Sequence, residues 1–325
     1  MAEGTLARIE AAARRSRWRA GGVNLALLAW NVVAQFQAVR VMGLAAEMTS
    51  YALLSIFPLV GALGAGLGFM ERLVGPGAVA EAEATILGAL HAVFATEVTQ
   101  EVFAPMVQGL LRSERGGFAL GSFAVALFLA SRIFRSAIHT LDVAYCVEEW
   151  RGMVALWALG LAFALGAVVT GVAVLGMVVV GPLLGGGRAI AEWLRLGGAF
   201  EVFWATVRWP TVFLVATGFL ATLYRFGPNV RNRWRQTLPG ALFGMVGIVL
   251  VSVGFRAYLG VAGVGAPEVG DAEEAVALAA QVVGAGLASL LWLWLVSMVV
   301  LTGGVVNAEV SRLRREVPPL EAGPE

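Results

Sequence analysis

Uncharged stretches divide the chain into segments long enough to cross a membrane. Six such stretches stand out, at residues 48–70, 116–131, 152–187, 209–224, 236–255 and 275–308. A helix that crosses the hydrocarbon core of a bilayer needs about 20 mostly apolar residues. We therefore predict an all-α polytopic membrane protein, a single membrane domain over residues 1–325 with a tail at 307–325. The predicted transmembrane helices cover about residues 46–70, 116–139, 152–180, 205–225, 236–259 and 281–306.

A seventh uncharged stretch, residues 20–39, has a different pattern. Leu25, Leu28 and Val32 recur at three- and four-residue steps, while asparagine and glutamine occupy the other face. This pattern predicts an amphipathic helix that lies in the membrane interface, within a cytoplasmic segment at residues 1–43. A cleaved signal peptide is the alternative, because four arginines precede the apolar part.

The composition is typical of a membrane protein, and it excludes several kinds of catalytic and metal site. Hydrophobic residues make up 59% of the chain and charged residues 14%, against about 25% charged residues in soluble domains. All 23 basic residues are arginine, so a Walker A phosphate loop and a lysine Schiff base are excluded. The two histidines and the single cysteine are too few for a histidine-based zinc site or an internal disulfide. We expect no metal, no cofactor, no enzymatic activity and, with a net charge of +1, no nucleic-acid partner.

The arginines also predict the orientation in the membrane. With six spans, 16 of the 23 arginines fall on one side. Arginine accumulates in cytoplasmic loops, so both termini are predicted to be cytoplasmic. The longest segment on the opposite side, residues 71–115, has apolar residues at helical spacing. We expect two amphipathic helices there, which either cover the outer face as a lid or pack on the helix bundle.

Polar residues within the first span form a candidate pathway. Glu47, Tyr51, Ser55 and Pro58 follow each other at steps of three and four residues, which places most of them on one stripe of a helix. Pro58 would also kink that helix. Polar groups inside a bilayer are costly and often functional. The stripe therefore either lines a cavity or makes hydrogen bonds between helices.

Two further groups extend this candidate pathway at the cytoplasmic side. Arg135, His139 and Asp142 follow helical spacing at the end of the second span, and we retain them as a candidate ionic cluster. The preceding Arg132 is instead assigned to snorkelling at the headgroup boundary. Asn307 and Glu309, at the cytoplasmic end of the last span, complete the set.

A basic segment between the fourth and fifth spans has two interpretations. Arg231, Arg233, Trp234 and Arg235 combine positive charge with an aromatic ring, which suits contact with anionic lipid headgroups. Topology alone also explains arginines at this position, and we favour that explanation.

These segments, over residues 20–315, resemble the YihY/BrkB family of bacterial inner-membrane proteins, once labelled ribonuclease BN. The resemblance implies six spans with cytoplasmic ends. The chain departs from the family at Val305, where the family usually has glutamate, and at Asp142, where asparagine is common. Ion coupling through the missing carboxylate is therefore not expected, and substitution by Glu309 is left open. The matching stretches are residues 51–58, 131–145, 148–149, 224 with 228, 233–234, 239–241, 255 with 258, and 291–309.

The resemblance implies no settled activity, so two function classes compete. The first is an inner-membrane transporter, permease or lipid-handling protein whose partners are membrane lipids and a small-molecule, ionic or lipid substrate. The second is a non-transporting scaffold that serves envelope integrity or virulence. A tRNA nuclease, as the old label says, is disfavoured because the chain has no histidine set that would bind a catalytic metal.

Overall fold

The computed structural model describes residues 14, 19–20, 23–74, 84, 87, 104, 116–175, 177, 198–262 and 274–314. Within these residues, seven helices of 14 residues or more form the protein. They are α1 (Leu25–Ala38), α2 (Val41–Val74), α3 (Gly116–Tyr145), α4 (Met153–Leu175), α5 (Gly198–Phe226), α6 (Trp234–Ala262) and α7 (Glu274–Arg314). Two strands of two residues each, β1 (Arg19–Ala20) and β2 (Val23–Asn24), pair in antiparallel orientation before α1.

Six of these helices contain segments long and apolar enough to span a membrane, as predicted. The segments are Val41–Leu59, Leu120–Tyr145, Met153–Val174, Thr206–Phe226, Trp234–Leu259 and Gly286–Arg314. Many large apolar side chains on them are exposed, among them Val154 at 84% and Leu250 at 66%. Apolar side chains turned outward are what a lipid environment requires. The chain is therefore an all-α polytopic membrane protein.

Two apolar segments continue well past the predicted ends of their spans. The second continues to Tyr145, although its end was predicted at residue 139, because its interior charges are accommodated without ending the helix. The last continues to Arg314, so Asn307 and Glu309 lie within α7 and not after it. Charged residues do not break an α-helix as proline does, and the uncharged run therefore underestimates helix length.

The predicted amphipathic helix is present as α1. Asn24 caps its first turn, because the side-chain Oδ1 accepts hydrogen bonds from the backbone N–H groups of Ala26 and Leu27. Arg40, with a positive φ of 58°, separates α1 from α2. The placement of α1 in the membrane interface stays a prediction. The helices predicted over residues 71–115 lie largely outside the described residues, and α2 continues only to Val74.

The chain divides into two compact units, of which the first holds the larger described core. It comprises Met1–Glu47, Phe134–Val249 and Val296–Glu325. The Phe134 ring lies 5.9 Å from the Phe163 ring, centroid to centroid. Around them a core of buried side chains joins α3, α4, α5 and α6: Ile138, Leu141, Phe163, Leu220, Ala221, Leu223, Tyr224, Ala241 and Met245.

Close backbone contact between α6 and α7 sets the packing of the first unit. A Cβ atom at Gly303 would lie 2.6 Å from the Tyr224 hydroxyl and 2.7 Å from the Gly240 carbonyl oxygen. Only glycine fits at that distance. Tyr224 uses this space to donate a hydrogen bond of 2.5 Å to the Val300 carbonyl. Small residues at helix interfaces allow this approach in membranes, where packing and hydrogen bonds drive helix association.

The second unit comprises Met48–Ile133 and Leu250–Leu295. Within it, the indole Nε1 of Trp292 on α7 donates to the Ser252 hydroxyl on α6 at 3.2 Å. The Phe255 and Tyr258 rings lie 6.1 Å apart on the same face of α6. The prediction of a single membrane domain stays a prediction.

Candidate functional site

The second unit holds a charged side chain halfway along an apolar helix. Arg132 lies 12 residues after Leu120 and 13 before Tyr145, the two ends of its apolar segment. Its Nη2 donates to the Tyr51 hydroxyl at 2.8 Å, and its guanidinium carbon lies 5.0 Å from the centroid of the Tyr51 ring. The snorkelling assignment of Arg132 stays a prediction, and the described structure adds that its guanidinium contacts Tyr51 on α2.

The other predicted stripe residues do not join this pair. Ser55 donates to the Ala52 carbonyl at 2.7 Å within its own helix. Pro58 lies inside α2 and Glu47 is exposed. Tyr51 is thus the stripe residue for which the described structure shows a hydrogen bond to another helix.

In the first unit, Asp142 fastens a loop to the end of α3. Its side chain is only 3% exposed. Oδ1 accepts a hydrogen bond of 2.7 Å from the backbone N–H of Asn229, which lies between α5 and α6. The Asn229 side chain in turn donates to the Glu148 carbonyl at 3.1 Å. The segment after α5 is therefore held against the segment after α3 from both directions.

Arg151 completes this cluster and pairs two acidic residues. Its Nε and Nη2 atoms bind the Glu149 carboxylate in bidentate fashion, at 2.8 and 2.6 Å. Nη2 also donates to the Gly227 carbonyl at 2.7 Å and lies 3.7 Å from Asp142 Oδ2. That Oδ2 atom has no hydrogen-bond partner among the described residues.

The electrostatics of this loop favour the charged form of Glu149. Partial burial alone raises the pKa of the Glu149 carboxyl, but the hydrogen bonds and charge of Arg151 outweigh it. The pKa therefore lies below its ordinary value. We name Asp142, Glu149, Arg151 and Asn229 the loop-anchor cluster.

The remaining members of the predicted ionic cluster lie apart from it. The guanidinium carbon of Arg135 is 4.7 Å from the centroid of the Trp157 ring, and His139 is exposed. Seven residues of helix separate Arg135 from Asp142, which corresponds to about 10 Å along the axis. Asp142 instead lies beside Arg151, which the chain reversal after α3 brings close.

Asn307 joins α7 to the first turns of α6. It is fully buried. Its Oδ1 accepts a 2.7 Å hydrogen bond from the Gly240 N–H, and its Nδ2 donates to the Thr237 carbonyl at 3.0 Å. These two backbone groups flank Pro239, which lacks an N–H group and locally weakens the helix ladder. The Asn307 amide is thus a structural link between helices.

Glu309 forms a second buried link, in this case to α1. Its carboxylate accepts hydrogen bonds from Asn31 Nδ2 at 3.1 Å and from Arg312 Nη1 at 2.6 Å. Arg312 reaches on to the Ala144 carbonyl at 2.7 Å and to the Cys146 sulfur at 2.9 Å. Val305, where the resemblance predicts a glutamate, is fully buried one turn earlier. The carboxylate of Glu309 is therefore already committed to two protein partners.

The basic segment after α5 lies at the rim of a cavity. Arg231, Arg233, Trp234 and Arg235 are all exposed. The Trp234 ring carries the guanidinium of Arg225, whose carbon lies 4.8 Å from the ring centroid.

Sequence reasoning missed several residues that make the decisive contacts. Arg151 was counted only as a topological arginine, and Asn229 and Asn31 were not selected. Asn229 follows the Gly-Pro pair 227–228, a turn signal that could have marked it as a loop residue with a backbone role. Within the described residues, no group of three or more histidine, cysteine, aspartate or glutamate side chains could hold a metal ion.

Most of the chain is similar to known proteins. A family model described as "Virulence factor BrkB" matches residues 32–324. A protein of Bacillus subtilis (strain 168) that carries the name "Putative ribonuclease-like protein YfkH" is 24% identical over 273 residues, which cover 84% of this chain and 90% of YfkH. No solved structure matches significantly.

Proposed function

Because the chain belongs to the virulence factor BrkB family, we propose that this polytopic membrane protein acts as a permease or lipid-handling protein, and not as an enzyme. The observation that supports the proposal most is the Tyr51–Arg132 pair. Both residues lie within apolar segments, Val41–Leu59 and Leu120–Tyr145. Charged residues within spans are costly, up to about 2.5–3.5 kcal/mol for an arginine at the centre on insertion scales, and they commonly mark substrate or ion pathways.

The geometry of the pair leaves donors available to a substrate. A guanidinium carries five N–H donors, and the described structure uses Nη2 of Arg132 for the Tyr51 hydroxyl. The Tyr51 ring beneath the guanidinium fixes its orientation through a cation–π contact. A polar or anionic group that enters this part of the membrane would meet a positioned positive charge. We therefore assign Arg132 to substrate contact and Tyr51 to its orientation.

Reconstitution in liposomes tests the proposal. The probes are fluorescent phosphatidylcholine and phosphatidylglycerol, for lipid scrambling, and a pH-sensitive dye inside the vesicles, for ion-coupled flux. We expect transport above protein-free vesicles, a large decrease in Arg132→Gln, and a smaller decrease in Tyr51→Phe. Tyr258→Phe is the matched control, because Tyr258 is an exposed tyrosine in the same unit. Asp142→Asn tests whether the loop-anchor cluster contributes beyond stability.

Absence of flux of any probe, with no difference among these variants, would refute the transport proposal. It would favour the second candidate, a non-transporting scaffold for envelope integrity or virulence. The tight contact of Gly240 with Gly303, locked by the buried Asn307 amide, favours a rigid framework in the first unit. Rigid packing of that kind suits a scaffold as well as the fixed part of a transporter.

We further propose the bacterial inner membrane as the location, with both termini in the cytoplasm. The arginine distribution supports this orientation. The printed name of YfkH is ribonuclease-like, and for this chain we propose no nuclease activity. Incubation of the purified protein with tRNA and divalent metal ions tests that point, and specific cleavage would contradict it.

A further inference from the structure

Five arginines from three parts of the first unit line one cavity. Its volume is about 910 Å³, within the range of ligand pockets, roughly 300–1,000 Å³. Arg225 comes from α5, Arg314 from α7, and the other three from the segment between α5 and α6 and the start of α6. The lining comprises Arg225, Phe226, Val230, Arg231, Asn232, Arg233, Arg235, Gln236 and Arg314.

This convergence exceeds what membrane topology requires. Cytoplasmic placement explains arginine at the ends of α5 and α7 as well as in the segment between α5 and α6, but it does not require these side chains to line the same cavity. No aspartate or glutamate belongs to the described lining. Among the described residues, no ion pair involves Arg225, Arg231, Arg233 or Arg235. Like charges that share a cavity repel each other, so an anion within it would be strongly favoured.

The Arg225 side chain and the Arg233 backbone are also held in place before any ligand binds. The guanidinium carbon of Arg225 lies 4.8 Å from the centroid of the Trp234 ring and 5.2 Å from that of Phe226. Its Nε atom is buried without a hydrogen-bond partner in the described structure. The Arg233 backbone N–H donates to Gln236 Oε1 at 2.6 Å.

The loop that carries these arginines is fastened at two further points. Asp142 accepts a hydrogen bond from the Asn229 backbone, and Asn232 Nδ2 donates to the Tyr224 carbonyl at 3.1 Å. A loop held in this way loses little conformational entropy on binding.

From this geometry we propose that the arginine cavity binds a phosphate-bearing anion. Guanidinium groups match phosphate oxygens through paired N–H donors, and the cavity has room for a phosphate group with an attached organic part. The proposal does not depend on transport, because it rests on the first unit alone. Two sources supply this chemistry, a phospholipid headgroup and a soluble phosphate compound.

Two measurements on the purified full chain distinguish these sources. Isothermal titration calorimetry measures the binding of inorganic pyrophosphate, a soluble anion, in a neutral detergent. Titration with sodium chloride of equal ionic strength is the control. Native mass spectrometry of protein in micelles doped with phosphatidylglycerol or phosphatidylcholine tests lipid headgroups. The double variant Arg231→Gln/Arg235→Gln removes two exposed lining charges, and Arg208→Gln/Arg256→Gln removes two arginines outside the lining as the matched control.

We expect the first double variant to weaken binding at least tenfold, because charge-assisted hydrogen bonds to phosphate are lost. The control should change affinity less than twofold. Sensitivity of pyrophosphate binding to the cavity variant indicates a soluble ligand, and sensitivity of phosphatidylglycerol retention indicates a headgroup. The proposal is overturned if neither pyrophosphate nor phosphatidylglycerol binds, or if both double variants lose the same affinity. It is also overturned if pyrophosphate does not bind and phosphatidylcholine is retained as well as phosphatidylglycerol. Unchanged melting curves of the variants exclude misfolding as the cause of a loss.

Discussion

Replacement of Gly240 by alanine tests the helix packing most directly. A Cβ atom at this position would overlap the Gly303 carbonyl and lie 2.5 Å from Asn307 Cγ. Carbon atoms in contact normally lie about 3.5–4.0 Å apart, so α7 must retreat by about 1 Å. The hydrogen bond from Gly240 N–H to Asn307 Oδ1, now 2.7 Å, would then lengthen to about 3.7 Å, beyond hydrogen-bonding range.

The expected loss of stability combines two costs. Overpacking of a tight interface typically costs about 1–3 kcal/mol. Hydrogen bonds between membrane helices contribute about 0.6 kcal/mol on average and up to about 1.7 kcal/mol, and both hydrogen bonds of Asn307 are at stake. We therefore expect Gly240→Ala to lower the free energy of unfolding by about 2–4 kcal/mol.

Unfolding by SDS in mixed micelles, followed by tryptophan fluorescence, measures this loss. Gly254→Ala is the control, because it lies on the same helix and an added Cβ atom meets nothing within 4 Å. Its unfolding free energy should stay within about 0.5 kcal/mol of the unmodified protein. If the two alanine variants unfold at the same SDS fraction, close helix contact at Gly240 does not stabilise the first unit.

Three further predictions concern the ends of the helices. The pKa of Glu149 is lowered, so its contribution to stability is complete above the unfolded pKa of about 4.3 and is lost as the pH falls through the lower folded value. The difference in melting temperature between the unmodified protein and Glu149→Gln should accordingly shrink at acid pH, whereas a constant difference would contradict the bidentate contact with Arg151. Asn31→Leu removes a partner of the buried Glu309 carboxylate and should lower the free energy of unfolding by about 1–3 kcal/mol. If Asn31→Leu lowers it equally in a Glu309→Gln background, the two residues are not coupled. Cys146 is the single cysteine of the chain and is exposed. In the predicted orientation it faces the cytoplasm, so a membrane-impermeant maleimide should label it in inverted vesicles and not in intact cells. Labelling in intact cells would contradict that orientation.

The fold class followed from the sequence because a bilayer imposes a length and a composition on every helix that crosses it. Uncharged runs identified all six spans for this reason. They did not predict that the apolar segment of α3 continues six residues further, to Tyr145, with its arginines against aromatic rings on other helices. No pattern local to Arg132 reveals that Tyr51 will lie beside it.

The sequence predicted which polar residues belong to the candidate site, but it did not predict their hydrogen-bond partners. Asp142, Asn307 and Glu309 were selected because buried polar groups are rare in membrane helices, and all three are buried. Their partners are 87, 67 and 278 residues away in the sequence, respectively Asn229, Gly240 and Asn31. Helical spacing predicts contacts three or four residues apart, so contacts that depend on the path of the loops lay beyond it. The sequence did not predict the arginine cavity: it singled out Arg231, Arg233 and Arg235 as candidate headgroup contacts and favoured topology as their explanation, and Arg225 and Arg314 belong to different helices.

The hydrogen bond between Asn31 and Glu309 has a consequence for biosynthesis. The ribosome produces α1 before α7, so α1 emerges long before the surface on which it packs exists. Val23 and the apolar side of α1, at Leu28 and Val32, pack against Val306 and Val310 of α7. Until α7 has been made, this side of α1 has no such partner. Docking of α1 on this surface is therefore a late step, although α1 is synthesised before α7.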